Sequence, residues 1–442
     1  MAIKRILDVD VLTAARRRIE YALDHVERVY VAFSGGKDST ILLHLVMEAA
    51  IPRGIKVGVM FIDFEAQYAE TIRHVHEMFE LYKDHIDPHW ICMPMLLRNA
   101  VTNYEPRWTC WDENNREIWI REKPDGCKTE ADYPFSLAEM EFEEFITLFG
   151  EWYGGGRPTA GFIGIRADES LHRYCAVATW EKRGLTLNGR RWTTRIIDEV
   201  YNIYPIYDWR SEDIWKFHAL NPGLHHNRIY DKMHMAGVPL GSQRLCQPFG
   251  DDQRRGLWLY HILEPDTWFK LIARVNGANS GAMYVQESGN ISGYNKISKP
   301  DNHTWQSFCN LLLQTMPSKT REHYVRRFKK FIVGWHRRGY AEIPEEAPPE
   351  LEAKCWVPSW RRMCKVLLRN DYWCKGLGQT QPKSDAWEKF KEIRKARRLK
   401  SGQSKKRNRT EVKTNKPVII EQPKNVPLFD YGENMIDTQE KA

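Results

Sequence analysis

Short apolar runs alternate with amphipathic segments through the first half of the chain. Residues 11–28 carry apolar side chains at helical spacing with charges between them, which predicts an amphipathic helix. The segments 29–33 (VYVAF) and 55–63 (IKVGVMFID) are apolar on both faces, as expected of strands covered on each side. Residues 40–50 and 68–82 follow them with the spacing of helices. This order of strands and helices predicts a parallel α/β sheet with right-handed crossovers.

The same alternation continues along the chain, apart from an insertion at about 97–133, where prolines, tryptophans and charges show no period. A hairpin is predicted with its turn at Asn188–Gly189. Ser211 is placed to cap a helix over 211–220. The other predicted elements are strands at 89–95, 159–165 and 200–209 and a helix at 137–149.

The second half of the chain has a different pattern. From residue 248 onward the sequence is helical and basic, as in 321–338, and strands no longer alternate with helices. After about residue 375, Gly, Gln, Ser and Lys dominate, and a packed core is not expected. We therefore predict a first domain over 1–247, a mainly helical domain over 248–375 and a basic, disordered tail over 376–442.

Composition narrows the class of protein. Apolar residues make up 42% of the 442 residues, and no apolar run has the length of a membrane span, so we expect a soluble globular protein without membrane contact. The opening MAIKRILDVDVL lacks the pattern of a secretory signal, which predicts a cytoplasmic location. The nine cysteines contain no CxxC pair, which favours free thiols over disulfides, zinc or an iron–sulfur cluster.

Charge is distributed unevenly along the chain. The net charge is +8, yet residues 388–416 alone hold thirteen Lys or Arg against three Glu, so the rest of the chain is close to neutral. A basic segment of this kind is the electrostatic signature of nucleic-acid binding. A solvated, disordered terminus that aids solubility explains it equally well.

A small polar loop follows the first predicted strand. Residues 31–40 read VAFSGGKDST, and the loop lies at the carboxyl end of that strand and opens a helix. Parallel α/β sheets bind ligands at this position, and free backbone N–H groups at a helix start favour an anion such as phosphate. A Walker A loop requires a glycine where Val31 stands, and the dinucleotide fingerprint G-x-G-x-x-G is not met.

The loop resembles the S-G-G-x-D-S pyrophosphate loop of the N-type ATP pyrophosphatases. Its lysine variant is similar to the phosphoadenosine phosphosulfate (PAPS) reductase branch of that family. Every position of the motif is filled, by Ser34, Gly35, Gly36, Lys37, Asp38 and Ser39.

Three later stretches resemble the same branch, in the same order along the chain. FIDFEAQYAET (61–71) matches the family's segment after the second strand, with Asp63 as the acidic residue. GIRADES (164–170) resembles the family's G-x-R element, with Arg166 and also Glu169 and Ser170 at a strand end. YPIYDWRSEDIW (204–215) looks like the family's Y-P-(I/L)-x-x-W element, which here contains Asp208 and Trp209.

The resemblance implies an adenine nucleotide alpha hydrolase-like (HUP-type) fold and a set of phosphate contacts. Lys37 would be a fixed cation against the β- and γ-phosphates, and Ser34 and Ser39 would donate hydrogen bonds to them. Asp38 would help to hold the Mg²⁺ that accompanies ATP. Arg166 would bind a phosphate or phosphosulfate, although a surface ion pair is also open for it.

The nucleoside contacts are less specific. Asp63 would meet the nucleoside, and Asp208 and Trp209 join the binding set through the motif match. An ordinary strand end and helix cap is an equally open explanation for these three residues.

The family also implies a reaction, although one part of its pattern is missing. N-type enzymes cleave ATP between the α- and β-phosphates, transfer AMP to an acceptor and release pyrophosphate. A sulfonucleotide reductase needs a nucleophilic cysteine in a C-terminal E-C-G-L-H stretch, which this chain lacks. Cys246, next to a Gly/Pro turn, keeps open a PAPS or APS reductase or sulfurtransferase with an unusual cysteine, although an incidental thiol is the simpler reading.

The layout of the whole chain resembles one subset of this family. PAPS reductase-like proteins of the immunoglobulin-binding regulator A type carry a long helical, basic extension and occur with ParB-like partners. A non-catalytic, nucleotide-sensing transcriptional regulator is therefore a further alternative.

Overall fold

The computed structural model describes residues 8–136, 140–178, 186–247, 249–251, 256–278 and 297–380. It divides into two compact units, Met1–Glu287 and Ser288–Ala442. The basic segment 388–416 lies outside the described residues. Among the described residues, no helix combines the length and apolar character needed to cross a membrane.

The first unit is built on a mostly parallel sheet, as the alternating pattern predicts. Its strands are β1 (Arg28–Ala32), β2 (Val57–Ile62), β3 (Ile86–Ile91), β4 (Met95–Arg98), β5 (Arg107–Cys110), β6 (Thr159–Ile163), β7 (Thr193–Ile197) and β8 (Val200–Ile203). Six of them form one sheet in the order β3-β2-β1-β6-β8-β7, in which only β7 runs antiparallel to its neighbour. Every residue of β2 is buried, because helices and loops cover both faces of the sheet.

The strand order creates a switch point beside β1. The chain passes from β1 to β2 on one side, and β6 pairs with β1 on the other, with Ala32 opposite Ile163. Connections leave such a pair of strands in opposite directions, which opens a crevice at their carboxyl ends. The glycine loop lies at this crevice.

Nine helices are described in the first unit. They are α1 (Val11–His25), α2 (Lys37–Ala50), α3 (Ala69–Leu81), α4 (Phe142–Gly154), α5 (Leu171–Ala178), α6 (Ser211–Leu220), α7 (Ile229–Met235), α8 (Trp258–Leu263) and α9 (Pro265–Arg274). α2 packs against β1 and β6, and α4 packs against β1, β6 and β8.

Two local predictions are wrong. The hairpin is β7–β8, which turns at Asp198–Glu199, whereas Asn188–Gly189 lies in a separate 3₁₀ turn before β7. Asn188 does have a left-handed φ of +48°, as an Asn-Gly turn requires, but this conformation does not specify which strands follow. Ser211 is the first residue of α6 and not its cap; Asp213 accepts a hydrogen bond from the Arg210 amide at 2.7 Å.

The first unit extends beyond the predicted boundary at residue 247. Arg274, at the end of α9, donates from Nε to Glu65 Oε1 at 2.7 Å and from a terminal nitrogen to the carbonyl oxygen of Thr109 at 2.7 Å. The ring of Tyr260 stacks on Tyr68 with centroids 3.8 Å apart. These contacts hold α8 and α9 to the β2–α3 loop, so the two units separate between Glu287 and Ser288.

The described part of the second unit, residues 297–380, contains helices and no strand, in line with the helical pattern of its sequence. Its core is a cluster of large apolar side chains that includes Tyr324, Phe328 and Trp335. The helices are α10 (Trp305–Gln314), α11 (Ser318–His336), α12 (Pro349–Ala353) and α13 (Trp360–Leu368).

Candidate functional site

The glycine loop joins β1 to α2 in a tight, buried turn. Gly35 has a φ of +70°, and a Cβ there would lie 2.9 Å from Thr71 Cγ2, so no other residue fits without displacing α3. Asn227 supports the turn from outside by donating from Nδ2 to the Gly35 carbonyl oxygen at 2.8 Å. The loop is therefore held in one shape before any ligand arrives.

The two predicted phosphate hydroxyls are bonded to the loop itself. Ser34 Oγ and Ser39 Oγ are 3.0 Å apart, and Ser39 Oγ donates to the Gly36 carbonyl oxygen at 3.0 Å. Helix α2 begins at Lys37, so the amides of its first turn have no carbonyl partner within the helix. These amides and the helix dipole make the end of the loop attractive to an anion.

Lys37 is buried beside the loop. Its Nζ donates to the Gln243 carbonyl oxygen at 3.1 Å and lies 3.2 Å from Asp38 Oδ2, and only 4% of the residue is exposed. Burial lowers the pKa of Lys37, and the neighbouring Asp38 carboxylate opposes that shift. The Lys37 amide donates to Tyr230 Oη at 3.2 Å, so Tyr230 holds both ends of this residue in place through its hydroxyl and its ring.

Arg166 joins the loop through Asp38. Its Nε donates to Asp38 Oδ1 at 2.5 Å, and a terminal nitrogen donates to both oxygens of Asp168 at 2.8 and 2.9 Å. The β6 strand end and the start of α2 are brought together by this contact. The sequence motif predicts both residues, and the structure places them side by side.

Two further arginines complete a cationic cluster that the motifs do not indicate. Arg173 on α5 contacts Glu169, and Arg244 donates to the Glu169 carbonyl oxygen at 3.0 Å. Together with Lys37 and Arg166 they supply four positive charges, which face the three negative charges of Asp38, Asp168 and Glu169. The motifs do not indicate these two arginines because both lie far from the glycine loop in the sequence. The one available signal is that Arg173 lies only a few residues after the G-x-R element.

A cavity of about 320 Å³ adjoins the loop at the carboxyl ends of β1, β2 and β6. This volume lies at the lower end of the range for small-molecule sites. The lining is mainly apolar, as is usual for small-molecule pockets. Its lining includes Ser34, Ile163, Gln67, Tyr68 and Cys246.

Two polar atoms on residues that line this cavity lack a hydrogen-bond partner among the described residues. They are Tyr68 Oη and Gln67 Oε1, and both atoms are buried. An unpaired buried polar group costs about 1–3 kcal/mol, so such groups commonly await a ligand or a water molecule. Burial raises the pKa of Tyr68 well above its ordinary value, so its hydroxyl stays protonated and can donate.

Cys246 lies in the cavity wall and forms no disulfide. Cys246 is partly exposed and interacts electrostatically with the Arg173 side chain. The thiol therefore lies near the cationic cluster. Among the described cysteines, Cys246 is the one that both lines the cavity and lies near cations.

The three residues that the motifs predict for nucleoside binding all form hydrogen bonds or ion pairs within the protein. Asp63 is 1% exposed and accepts from Trp90 Nε1 at 2.8 Å, while Arg121 from the insertion contacts its other oxygen. Asp208 forms a bidentate ion pair with Arg18, with N–O distances of 2.6 and 2.8 Å. Trp209 is also buried, and its Nε1 donates to the carbonyl oxygen of Val11 at 3.0 Å. The internal partners of these residues match the strand-end and helix-cap explanation.

The described residues do not fit a resident Mg²⁺. Asp38, the predicted ligand, is paired with two cations, Lys37 and Arg166. No group of three or more His, Cys, Asp or Glu side chains that could hold a metal is found in the described part of the chain. We therefore assign no protein-bound magnesium to this site, and the expected absence of an iron–sulfur cluster stays a prediction.

His74 supports the loop from α3 and makes the fold sensitive to acid. Its Nε2 lies 2.9 Å from Thr40 Oγ1, and burial lowers its pKa to about 3. Below pH 6.5 the unfolded chain binds a proton that the folded chain does not, so the free energy of unfolding falls as the pH drops toward 3. We expect His74 alone to account for up to about 1.4 kcal/mol per pH unit.

Urea unfolding at several pH values between 7.5 and 4.5 measures this dependence. His74→Gln is expected to flatten the pH profile, because glutamine can bond Thr40 without titrating. The matched control is His76→Gln, an exposed histidine on the same helix, which should leave the profile unchanged. Parallel profiles for wild type and His74→Gln would contradict the assignment.

Two family models match parts of the chain. Residues 28–113 match the phosphoadenosine phosphosulfate reductase domain, a range that contains the glycine loop and Tyr68. Residues 237–356 match a domain of unknown function (DUF3440). Solved structures that are similar include a PAPS reductase from Candida auris (13% identity, 49% of this chain and 84% of that one, TM-score 0.26) and the U34-tRNA thiolase NcsA from Methanococcus maripaludis with its [4Fe-4S] cluster (12%, 65% and 86%, TM-score 0.28).

Similar sequences extend the comparison. The sulfate adenylyltransferase subunit 2 of Streptomyces lavendulae is 24% identical over 44% of this chain and 53% of its own length. Uncharacterized protein MJ0066 of Methanocaldococcus jannaschii is 28% identical over 46% of this chain and 34% of its own length. Uncharacterized protein YbdN of Escherichia coli K12 is 42% identical over 90% of this chain and 97% of its own length. The chain carries a PAPS reductase domain and belongs to the same family as YbdN.

Proposed function

We propose that the protein binds an adenine nucleotide, with the base in the cavity and the phosphates over the 34–39 loop. The observation that carries the proposal is the position of the cavity, whose lining includes Ser34 of the loop together with Tyr68 and Gln67, each of which has a buried polar atom without a partner among the described residues. A purine offers the matching groups, since adenine carries an amino donor next to ring-nitrogen acceptors. The match to a PAPS reductase domain over the same residues supports this assignment.

The surrounding charges suit a polyphosphate. Lys37 and the first-turn amides of α2 lie at the end of the loop, and Arg166 lies behind Asp38. A nucleotide that extends from the cavity would direct its phosphates at these groups. Arg173 and Arg244 would add long-range attraction at the mouth of the site.

The proposed reaction is cleavage of ATP between the α- and β-phosphates. An oxygen nucleophile of the acceptor, or water, forms a bond to the α-phosphorus. The bond from that phosphorus to the bridging oxygen breaks, and pyrophosphate leaves with the electron pair. Lys37 would stabilise the charge on the leaving group, and the fixed loop amides would require no reorganisation during the step.

Pyrophosphate release from ATP, supplied as its magnesium salt, tests this function. We expect pyrophosphate and AMP or an adenylylated product, and no phosphate unless a phosphatase is added. Thermal unfolding with ATP, APS and PAPS identifies the preferred nucleotide, since a ligand at a hundred times its dissociation constant stabilises by about 2.7 kcal/mol. No shift with any of the three would contradict nucleotide binding, and phosphate as the only product would contradict the reaction.

One observation favours a second candidate, a sulfonucleotide reductase or sulfurtransferase. Cys246 lies in the cavity wall, near the position where a bound nucleotide would present its phosphates. Sulfite formation from PAPS or APS with thioredoxin, lost in Cys246→Ser, would favour this candidate. Pyrophosphate release that is unaffected by Cys246→Ser would favour ATP cleavage.

The finer assignments stay proposals. We place the protein near the immunoglobulin-binding regulator A type, with a ParB-like partner, on the layout of its sequence. Contact of the 388–416 segment with nucleic acid is proposed on its charge alone. Nucleotide binding without any turnover would favour the regulatory alternative over an enzyme.

Tyr68→Phe separates ligand binding from folding. Loss of one neutral hydrogen bond is expected to weaken ATP binding by about 0.5–1.5 kcal/mol, or roughly two- to twelvefold in Kd, measured by calorimetric titration. The same change should leave the free protein as stable as wild type or more so, because it removes an unpartnered buried hydroxyl.

Tyr82→Phe is the matched control for this change. Its hydroxyl lies 2.7 Å from His44 Nδ1 and does not line the cavity, so its removal should cost some stability and leave ATP affinity unchanged. Equal ATP affinity in wild type and Tyr68→Phe would show that the Tyr68 hydroxyl does not face the nucleotide.

A further inference from the structure

Helix α11 of the second unit carries a row of cations along one side. The four residues, which we call the cationic stripe, are Lys319, Arg326, Lys330 and Arg337. At 100° per residue their positions fall within about 40° around the helix axis, and they span about 27 Å of its length. All four are exposed, whereas Tyr324, Phe328 and Phe331 of the same helix pack into the core.

The cationic stripe has no counter-charge among the described residues. None of its four side chains forms an ion pair there, not even with Glu322 on the same helix. The carboxylates of residues 345–352 serve other partners, since Glu346 and Glu352 pair with Arg361. The four stripe cations are therefore left without an ion-pair partner among the described residues.

Part of the arrangement is unfavourable to the helix. Arg326 and Lys330 are four residues apart, where like charges destabilise a helix by a few tenths of a kcal/mol. Lys319 lies in the first turn, where the helix dipole disfavours a cation. Although Arg337 suits the dipole at the end of the helix, the stripe is exposed and forms no ion pair with the described residues, which points to a ligand outside this chain.

We propose that the cationic stripe docks the phosphate backbone of a nucleic acid. The four cations lie in a straight line, and of their neighbours on this side of the helix only Glu322 is acidic and only Val333 is an exposed aliphatic residue, which is too little apolar surface to anchor a protein partner. Its length of about 27 Å corresponds to about eight steps of 3.4 Å along one strand of a duplex, enough to meet several phosphates. Recognition of this kind is independent of base sequence.

The proposed surface is distinct from the nucleotide cavity, which lies in the first unit, and from the 388–416 segment. It therefore does not depend on the function proposed above. If both hold, the protein uses a nucleotide at one site and contacts a nucleic acid at the other. Failure of ATP binding would leave the stripe proposal unaffected.

Binding of the full chain to a fluorescein-labelled 24-base-pair duplex, followed by anisotropy from 50 to 300 mM KCl, tests the proposal. The variant Arg326→Gln/Lys330→Gln/Arg337→Gln removes three cations from exposed positions. Each lost phosphate contact lowers the slope of log K against log salt by about 0.9, so we expect a decrease of about 2.7 and weaker binding at low salt.

The matched control is Arg17→Gln/Lys56→Gln/Lys83→Gln, which removes three exposed cations from the first unit and the same net charge. It should keep the wild-type slope, and Arg326→Lys/Arg337→Lys should keep most of it. Thermal unfolding of each variant checks that the fold is intact. An unchanged slope in the stripe variant, no binding by the wild type, or equal competition by polyglutamate would overturn the proposal; the last result would indicate an acidic protein partner.

Discussion

Replacing Lys37 with alanine is expected to slow pyrophosphate release from ATP by about a hundredfold, or roughly 3 kcal/mol in the activation free energy. The ammonium group is buried beside the loop, where a charge is worth more than in water, and it would oppose the charge that develops on the leaving pyrophosphate. Steady-state rates with coupled detection of pyrophosphate measure the effect. A loss in kcat with little change in ATP affinity would assign Lys37 to the transition state.

Lys232→Ala is the control for this variant. Lys232 lies on α7 close to Tyr230, but its Nζ pairs with Glu70 at 2.6 Å and does not face the loop. We expect its removal to leave the rate within about twofold of wild type. A Lys37→Ala protein that folds normally and keeps the wild-type rate would remove the loop from the reaction.

Replacing Arg274 with leucine is expected to destabilise the first unit by about 3–5 kcal/mol, because it leaves Glu65 as an uncompensated buried charge. The Glu65 side chain is fully buried and accepts two bonds from Arg274, and the amide of Trp111 donates to the same carboxylate at 2.7 Å. Urea unfolding measures the change, and hydrogen exchange in β1 and β2 attributes it to this unit.

Two further variants establish that the effect comes from the pair. Lys270→Leu, an exposed change on the same helix, should alter stability by no more than about 0.5 kcal/mol. Glu65→Gln combined with Arg274→Leu should cost less than the sum of the single changes, since it removes both charges. Additive losses would show that the two side chains act independently.

The position of the 34–39 loop between a strand and a helix could be predicted because it is local, while phosphate binding there stays a prediction. Ser34 to Ser39 are consecutive, and the strand before them and the helix after them have clear periods in the sequence. The left-handed φ of Gly35 and the helix start at Lys37 follow from the same few residues. Arg166 was also predicted, since it lies in a motif at the end of another central strand.

The end of the cavity that is lined by Tyr68 and Gln67 could not be predicted in this way. Tyr68 and Gln67 lie in the β2–α3 loop within the matched 61–71 stretch, where the motif drew attention to Asp63 instead. Asp63 is covered by Trp111 and Arg121 from the insertion, a segment with no period and therefore no expected position. A motif indicates which residues recur in a family. Here the folded insertion covers Asp63 and so determines which of those residues a ligand can reach.

The domain boundary illustrates the same limit. Residues 248–278 have a helical pattern that fits either unit, and the pattern alone assigned them to the second. The buried pair of Arg274 with Glu65 and the stacked rings of Tyr260 and Tyr68 attach them to the first. Contacts between residues about two hundred positions apart do not produce a periodic pattern in the sequence.

The sequence by itself determined the parallel α/β sheet, the glycine-rich loop between its first strand and the next helix, and the helical character of the second unit. Each depends on the period of apolar residues or on a few adjacent residues, whose conformations are set by neighbours along the chain. Only the tertiary structure decided that Asp63 is buried, that Arg173 and Arg244 lie near Arg166, and where the cavity opens. These features arise where distant segments pack against one another, and the free energy of that packing is not a property of any one segment.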